Sequence, residues 1–251
     1  DHLRNTILKE EISSLLFDAG GFLETGQSKT QQLQGIEIMN KINYHGVNLS
    51  AADLNKGIES FAELLPYINF QLLSSNYHFE NPILRRAVKP YQILKYGKFK
   101  VGVTAVGEEA NITGLTVSNA QTALNRVSRL LKEKHQCDIV ICLAHLGFKE
   151  NAKINNKRLA QLSTDVDWVI GGNAPLDNSN LWGVKNSLKN DVLLSANLGK
   201  GLSTAKVAFA FNNQNKKNGL AFIQHVPGAN KVQSKQQILA ALAVQKNSIN
   251  S

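Results

Sequence analysis

Short apolar runs that end in turns of small residues recur along the chain. Apolar residues 15–17 precede Asp18-Ala19-Gly20-Gly21, and residues 139–143 precede Ala144-His145-Leu146-Gly147. Residues 166–170 precede Gly171-Gly172-Asn173-Ala174-Pro175 in the same way. An α/β protein builds its sites at the carboxyl ends of its strands, where such turns lie. The pattern therefore predicts a site to which these three turns contribute.

The same kind of pattern predicts the remaining elements. Amphipathic helices are expected at residues 3–12, 31–42, 118–133, 153–162 and 236–244. A further helix is expected to begin after Ser50, with Asp53 in the acidic position of a capping box, and to end near Leu65. Single strands are expected at residues 15–17, 46–49, 71–76, 139–143, 166–170 and 192–194. Hairpins are expected where residues 91–96 pair with 99–106 and residues 205–211 with 220–226.

Alternation of strands and helices in the middle of the chain is typical of parallel βαβ units. Because hairpins flank this region, the pattern predicts two mixed sheets between layers of helices. With 251 residues, 43% of them hydrophobic, the chain has enough apolar side chains for a large core. No long linker divides it, so we predict a single α/β domain over residues 1–251.

The composition limits the kinds of partner that the protein is expected to bind. The chain has 28 Lys and Arg against 19 Asp and Glu, a formal net charge of +9. Its lysines are spread over helices and loops, so a solvated surface is favoured and no nucleic-acid partner is expected. No run of about 18 apolar residues predicts a transmembrane helix. A chain that begins at Asp1 is consistent with a removed leader, and a membrane-anchored complex stays open.

Nucleophilic chemistry finds no support in the sequence. There is no Gly-x-Ser-x-Gly elbow, and Gly199-Lys200-Gly201 lacks the spacing of a phosphate-binding loop. Cys137 and Cys142 lie at a spacing that, in a strand, directs their side chains to opposite faces. The sequence therefore predicts two free, buried and unreactive thiols.

Five segments of the chain resemble, in this order, the metallophosphoesterase domain of the 5'-nucleotidase family. They are Leu16-Phe17-Asp18-Ala19-Gly20, Leu73-Ser74-Ser75-Asn76, Ala144-His145-Leu146-Gly147, Val166-Asp167-Trp168-Val169-Ile170-Gly171-Gly172 and Leu198-Gly199-Lys200-Gly201-Leu202. The family is part of the calcineurin-like group and includes periplasmic nucleotidases and thiosulfohydrolases. The resemblance implies the calcineurin-like metallophosphoesterase fold, a four-layer α/β/β/α sandwich of two mixed sheets.

Family members hold two divalent metals, which generate hydroxide and clamp the phosphoryl oxygens. The resemblance places Gly21 where the family has the carboxylate that bridges both metals. It places Ala51 and Ala52 where the family's Gly-Asn-His-Glu-Phe-Asp element has its Asn and His. Asn173 and Pro175 stand where the Gly-Gly-His-x-His turn has its two His. Most of the family's metal ligands are therefore replaced.

His145 is the one ligand position that the chain clearly keeps. The family's first ligand pair, Asp-x-His, has no match, because Asp1-His2 lacks both the spacing and the preceding strand. One His cannot hold two dications about 3.5–4 Å apart without a bridging carboxylate. We therefore expect no metal cofactor and a catalytically degenerate domain. We expect it to be a binding or structural subunit of an extracytoplasmic assembly, with a protein partner and a periplasmic, secreted or cell-surface location.

The alternative is an active metal-dependent phosphoesterase with a remodelled site. A single Mn²⁺ or Zn²⁺ ion would then be held by substitutes such as Asp18, Asp53, His145, Asn173 and Asp177. Ordinary structural roles are the favoured interpretation of these side chains. His145 would be a histidine at a strand end, hydrogen-bonded to a backbone carbonyl, and Asp18 a loop organiser. Asp53 and Asn76 would satisfy a helix start and a turn.

The remaining candidates are His45, His78, Trp168 and Trp182. Both histidines are expected in loops near the same strand ends, as surface residues. Both tryptophans are expected to pack in the core or at its rim, and Trp182 is the better candidate for stacking on a base. In the family a separate C-terminal domain grips the nucleoside; we expect that domain to be absent or supplied by another polypeptide.

Overall fold

A computed structural model describes residues 14–174, 180–196, 204–212 and 217–225. Strands β1 to β7 are Phe17–Asp18, Gly46–Asn48, Leu72–Leu73, Tyr77–Phe79, Tyr91–Tyr96, Phe99–Gly107 and Leu115–Val117. Strands β8 to β13 are Ile139–His145, Trp168–Gly171, Asn180–Lys185, Asp191–Ala196, Thr204–Phe211 and Lys217–His225. Helices α1 to α5 are Lys29–Ile42, Ile58–Ala62, Pro82–Ala87, Ala120–Arg129 and Asn156–Leu162. None of the helices in these ranges has the length and apolar composition needed to cross a membrane.

Two main sheets organise the described part of the chain. Strands β1, β2 and β3 form a three-stranded sheet in that order, and both of its pairings are parallel. The second sheet has six strands in the order β10-β11-β9-β8-β6-β5. Its central pairings are parallel, and β10 and β5 pair antiparallel at its edges. The predicted mixed α/β architecture is confirmed, with the mixed pairing confined to the larger sheet.

Three apolar clusters separate four layers. The first lies between α1 and the parallel sheet, the second between the two sheets, and the third between the larger sheet and helices α4 and α5. Ile36 and Val47 are buried in the first cluster. Leu73 and Ile141 are buried in the second, and Val140 and Leu159 are buried in the third. This order of layers is the expected α/β/β/α sandwich.

Strand β8 shows how the sequence directs side chains into these layers. Ile141 and Leu143 belong to the cluster between the sheets, whereas Val140 and Cys142 belong to the cluster under the helices. Successive side chains of a strand point to opposite faces. His145, the last residue of β8, continues the series of Ile141 and Leu143. Its side chain is thereby directed into the space between the sheets, at their carboxyl ends.

Several predicted elements differ in extent from the structure. The helix expected from Ser50 to Leu65 is broken into a 3₁₀ turn at Ala51–Leu54, the short helix α2 and a second 3₁₀ turn at Leu65–Tyr67. The interruption falls at Gly57, whose φ of 89° is incompatible with a continuous right-handed helix. The predicted strand 71–76 is reduced to β3. The helices expected at residues 3–12 and 236–244 lie outside the described residues.

Both cysteines are free and buried, as the sequence predicts. The expectation that they point to opposite faces is wrong, because both contribute to the apolar cluster between the larger sheet and the helices. The alternation rule does not apply to Cys137, since β8 begins only at Ile139. Burial raises the pKa of both thiols, which keeps them in the unreactive protonated form.

Candidate functional site

The structure brings together the turns that follow β1, β8 and β9. Gly21 follows β1, His145 ends β8 and Gly172 follows β9. A Cβ atom placed on Gly21 would lie 2.8 Å from His145 Nε2, and one placed on Gly172 would lie 2.8 Å from His145 Cδ2. The carboxyl ends of both main sheets therefore meet around His145. We call this region the candidate site.

Asp53 is buried beside the candidate site and accepts four hydrogen bonds from two different segments. The backbone N–H groups of Gly21 and Leu23 donate to it at 3.0 and 2.9 Å. The N–H and the hydroxyl of Ser50 donate to its Oδ2 at 3.0 and 2.6 Å. Burial raises the pKa of Asp53, and these hydrogen bonds oppose that rise. The carboxylate fastens the turn after β1 to the start of the 3₁₀ turn.

Asp18 organises its own turn. Its Oδ1 accepts a hydrogen bond of 2.8 Å from the N–H of Gly20, two residues along the chain. Burial raises the pKa of Asp18 to about 6, and the charge of Asp53 adds to the rise while the Gly20 bond and His145 oppose it. Tyr44 lies close enough that Asp18 contributes, after burial, to raising the tyrosine pKa to about 12.

His145 is paired with the side chain of Glu108, the residue that follows β6, so the prediction that it bonds a backbone carbonyl is wrong. The distance between His145 Nδ1 and Glu108 Oε2 is 3.1 Å, and because a carboxylate only accepts, Nδ1 donates. The His145 side chain is 8% exposed and the Glu108 side chain 30%. Burial alone would lower the pKa of His145. The hydrogen bond and the charges of Glu108, Asp53 and Asp18 outweigh burial, so the pKa is raised.

Two buried asparagines connect the sheets at the same end of the fold. Asn48 Nδ2, from β2, donates to the carbonyls of Ala19 and Val106 at 3.1 and 2.9 Å. Asn76 accepts from the N–H of Gly107 and donates to its carbonyl, both at 2.9 Å. Asn48 Oδ1 is a buried oxygen with no hydrogen-bond partner among the described residues.

The positions that the resemblance assigns to the family's other ligands offer few side-chain oxygens or nitrogens. Gly21, Ala51 and Ala52 have no side-chain oxygen or nitrogen. Asn173 is exposed, and its amide lies next to Gly147, where a Cβ would be 3.4 Å from Asn173 Nδ2. Pro175 and Asp177 lie outside the described residues.

The donor set does not fit a two-metal centre. Within residues 14–174 and the other described ranges, no group of three or more His, Cys, Asp and Glu side chains is placed to hold a metal ion. Both oxygens of Asp53 already accept hydrogen bonds. The unpartnered oxygen of Asn48 could offer a metal only one neutral ligand, whereas a pair of dications needs several anionic or imidazole ligands.

The remaining candidate residues lie apart from this region or pack elsewhere. His45 precedes β2 at its amino end, so its predicted place near the carboxyl ends is wrong; its Nδ1 accepts from the N–H of Leu16 at 3.1 Å. His78 is exposed but lies within β4 rather than in a loop. Trp168 is buried and donates to Ser195 Oγ at 2.9 Å. Trp182 packs against Phe148 with ring centroids 5.8 Å apart.

Sequence reasoning missed Glu108 and Asn48. Asn48 carries a signal, because it is the single polar residue in the apolar run Gly46-Val47-Asn48-Leu49 and it alternates with two core residues. Glu108 carries a weaker one, since it follows the buried strand β6 just as the predicted turns follow theirs. Its partnership with a histidine 37 residues away has no local signature.

The four layers, the two sheets and the turns that meet around His145 are typical of one class of fold. It has the fold of the calcineurin-like metallophosphoesterase domain of 5'-nucleotidases, and the predicted resemblance is confirmed. No protein-family model matches the chain. A 5'-nucleotidase of Vibrio cholerae is 24% identical over 193 residues, which are 69% of this chain and 34% of that protein.

Solved structures give the same result over nearly the full chain. A 5'-nucleotidase precursor of Thermus thermophilus matches with a TM-score of 0.76 and 17% identity, over 98% of this chain and 52% of that one. The NAD nucleotidase of Haemophilus influenzae matches with a TM-score of 0.73 and 18% identity, over 96% and 54%. The calcineurin-like phosphoesterase YfkN of Bacillus subtilis matches with a TM-score of 0.69 and 15% identity, over 98% and 86%. The chain thus spans about half the length of the first two structures.

Proposed function

We propose that this chain is a non-catalytic domain with the 5'-nucleotidase fold, which serves as a binding or structural subunit. One observation carries the proposal: the polar side chains that remain at the candidate site are bonded to the protein itself. Asp53 accepts four hydrogen bonds, Asp18 accepts from Gly20, and His145 pairs with Glu108. Through these hydrogen bonds the side chains hold the turns between the sheets.

The energetics of Asp53 argue against its recruitment as a substitute ligand. A metal ion would have to compete with three backbone N–H groups and a hydroxyl for the two carboxylate oxygens. A buried donor that loses its acceptor costs about 1–3 kcal/mol. Of the substitutes weighed from the sequence, that leaves His145, Asp18 and the exposed Asn173 within the described residues. Even for a single metal ion, only His145 and Asp18 of these three are an imidazole or a carboxylate, and no group of three or more His, Cys, Asp and Glu side chains in the described ranges is placed to hold an ion.

An extracytoplasmic location is part of the proposal. The support is the description of the Thermus thermophilus relative as a precursor, together with the shared fold. In such an assembly a protein partner would supply whatever activity or specificity the complex has. The partner would then recognise a surface of this domain, while the candidate site maintains the fold.

The proposal predicts that the purified chain binds neither Mn²⁺ nor Zn²⁺ stoichiometrically. We expect metal content after incubation and dialysis to stay well below one ion per chain, and we expect no metal-dependent hydrolysis of an aryl phosphate ester. Elemental analysis and a colorimetric phosphatase assay measure the two quantities. The Vibrio cholerae 5'-nucleotidase, treated in parallel, is the reference for an active relative.

The opposite result would favour the alternative of a remodelled hydrolase. Bound metal near one or two ions per chain, with turnover that a chelator abolishes, would overturn the proposal. In that event, loss of metal in His145→Ala and Asp18→Ala would identify the ligands. Metal that stays bound in both variants would place the ions elsewhere on the chain.

A further inference from the structure

His145 lies in contact with three glycines, Gly20, Gly21 and Gly172, which we call the glycine cradle. A Cβ on Gly21 would meet Nε2, Cε1 and Cδ2 of His145 at 2.8, 3.5 and 3.7 Å, and these are its three nearest atoms. A Cβ on Gly172 or Gly20 would lie 2.8 or 3.4 Å from Cδ2. Real Cβ atoms do not approach ring atoms within 3 Å. The imidazole can therefore occupy its place only because positions 21 and 172 are glycines, which have no Cβ atom.

The imidazole is held in the glycine cradle from both sides. Its Nδ1 donates to Glu108 at 3.1 Å, and the whole residue is only 6% exposed. Gly21, opposite, is held by the hydrogen bond from its N–H to Asp53 and has a φ of 77°. Neither partner can therefore move away without breaking a buried or half-buried hydrogen bond.

We infer that His145 has become a packing residue that fills the space beside position 21, so that the candidate site has no room for a ligand there and is also poor in ligands elsewhere. A carboxylate at position 21 would need the volume that the imidazole occupies. Restoring Asp there would strain the fold before it could provide a metal ligand. The inference deepens the proposed function and rests on it, because a packed imidazole is unavailable to a metal ion.

His145 in this role joins the two main sheets. The glycine cradle contributes turns after β1 of the parallel sheet and after β9 of the larger sheet, while Glu108 follows β6 and His145 itself ends β8. One side chain at the end of β8 thus contacts or bonds segments that follow three other strands. This structural role would explain why His145 is present although the positions of the other ligands carry different residues.

The test is a double-mutant cycle on the thermal stability of the 251-residue chain. Gly21→Ala introduces both the clash and the strain of a positive φ. Gly26→Ala is the matched control, because Gly26 has a φ of 86° but no atom within 4 Å of its Cβ position. We expect Gly26→Ala to lower Tm by about 2–4 °C through strain alone. Gly21→Ala should lower it by at least twice as much.

The cycle is completed in the His145→Ala background, where the clash is absent. There we expect Gly21→Ala to cost no more than Gly26→Ala costs in the unaltered protein. Should Gly21→Ala alone fail to fold, a folded Gly21→Ala/His145→Ala double variant gives the same support. Equal losses of Tm in both backgrounds, or a double variant that is unfolded although His145→Ala alone is folded, would overturn the inference. The two proposals can fail separately. Equal losses of Tm in both backgrounds would not contradict the non-catalytic proposal, because the cycle measures only stability. Metal binding by the unaltered chain would overturn the non-catalytic proposal and would not change the result of the cycle.

Discussion

Replacement of Asp53 by Ala is expected to destabilise the protein by about 3–4 kcal/mol, the largest effect we predict for a single polar side chain. The variant leaves the N–H groups of Gly21, Leu23 and Ser50 without their acceptor, and of these residues Leu23 and Ser50 are buried while Gly21 is exposed. The estimate is smaller than the sum of three lost bonds, because the cost of burying the carboxylate disappears with it. Urea denaturation followed by circular dichroism measures the difference.

Two control variants separate this role from a general effect of lost charge. Asp191→Ala removes an acid whose side chain is 77% exposed and whose only described ion pair is with the exposed Lys185, so its effect should stay below about 1 kcal/mol. Asp53→Asn retains one carbonyl oxygen but presents an NH₂ group to the remaining donors. The loss of stability in Asp53→Asn should fall between the losses in Asp53→Ala and Asp191→Ala. An Asp53→Ala loss as small as that of Asp191→Ala would show that the carboxylate does not hold the turn.

The layers of this fold could be predicted from the sequence because they depend on local patterns. The alternation in β8 and the βαβ order place its apolar residues in two clusters without knowledge of the partners. The hairpin of β5 and β6, with its turn at Gly97-Lys98, also has a local signature. The apolar pattern of residues 50–65 predicts one continuous helix, because the break at Gly57 is not encoded in that pattern. The positive φ of Gly57 is set by the turn into α2 rather than by the apolar pattern.

The candidate site could be predicted only in part. The resemblance to the family assigns ligand positions to Gly21, Ala51 and Ala52, since each follows a recognisable strand or turn. It could not show that Asp53 binds the turn after β1, 30 and 32 residues away, or that Glu108 meets His145. Those contacts depend on how one sheet is placed on the other. The packing of His145 against Gly21 likewise appears only when both sheets are present.

The pH dependence of stability is expected to depend strongly on Asp18. Burial, with a smaller contribution from Asp53, raises its pKa in the folded protein from the usual 3.8 to about 6. The folded state therefore holds a proton that the unfolded chain has released between about pH 4 and pH 6. The stabilisation from this proton is complete below about pH 4 and is lost as the pH rises through about 6. The raised pKa of His145 acts in the same direction at higher pH.

Asp18→Asn should remove this dependence, because the amide stays neutral and its oxygen can still accept from the N–H of Gly20. A pKa difference of about two units corresponds to about 3 kcal/mol, and we expect about 2 kcal/mol because water reaches part of the carboxyl group. The variant should thus be more stable than the unaltered protein at pH 8 and equal to it near pH 4. Urea denaturation at a series of pH values measures this difference, with Asp191→Asn as the exposed control. A difference that does not grow with pH, or an Asp18→Asn variant less stable at pH 8, would show that the buried charge of Asp18 is already compensated by its surroundings.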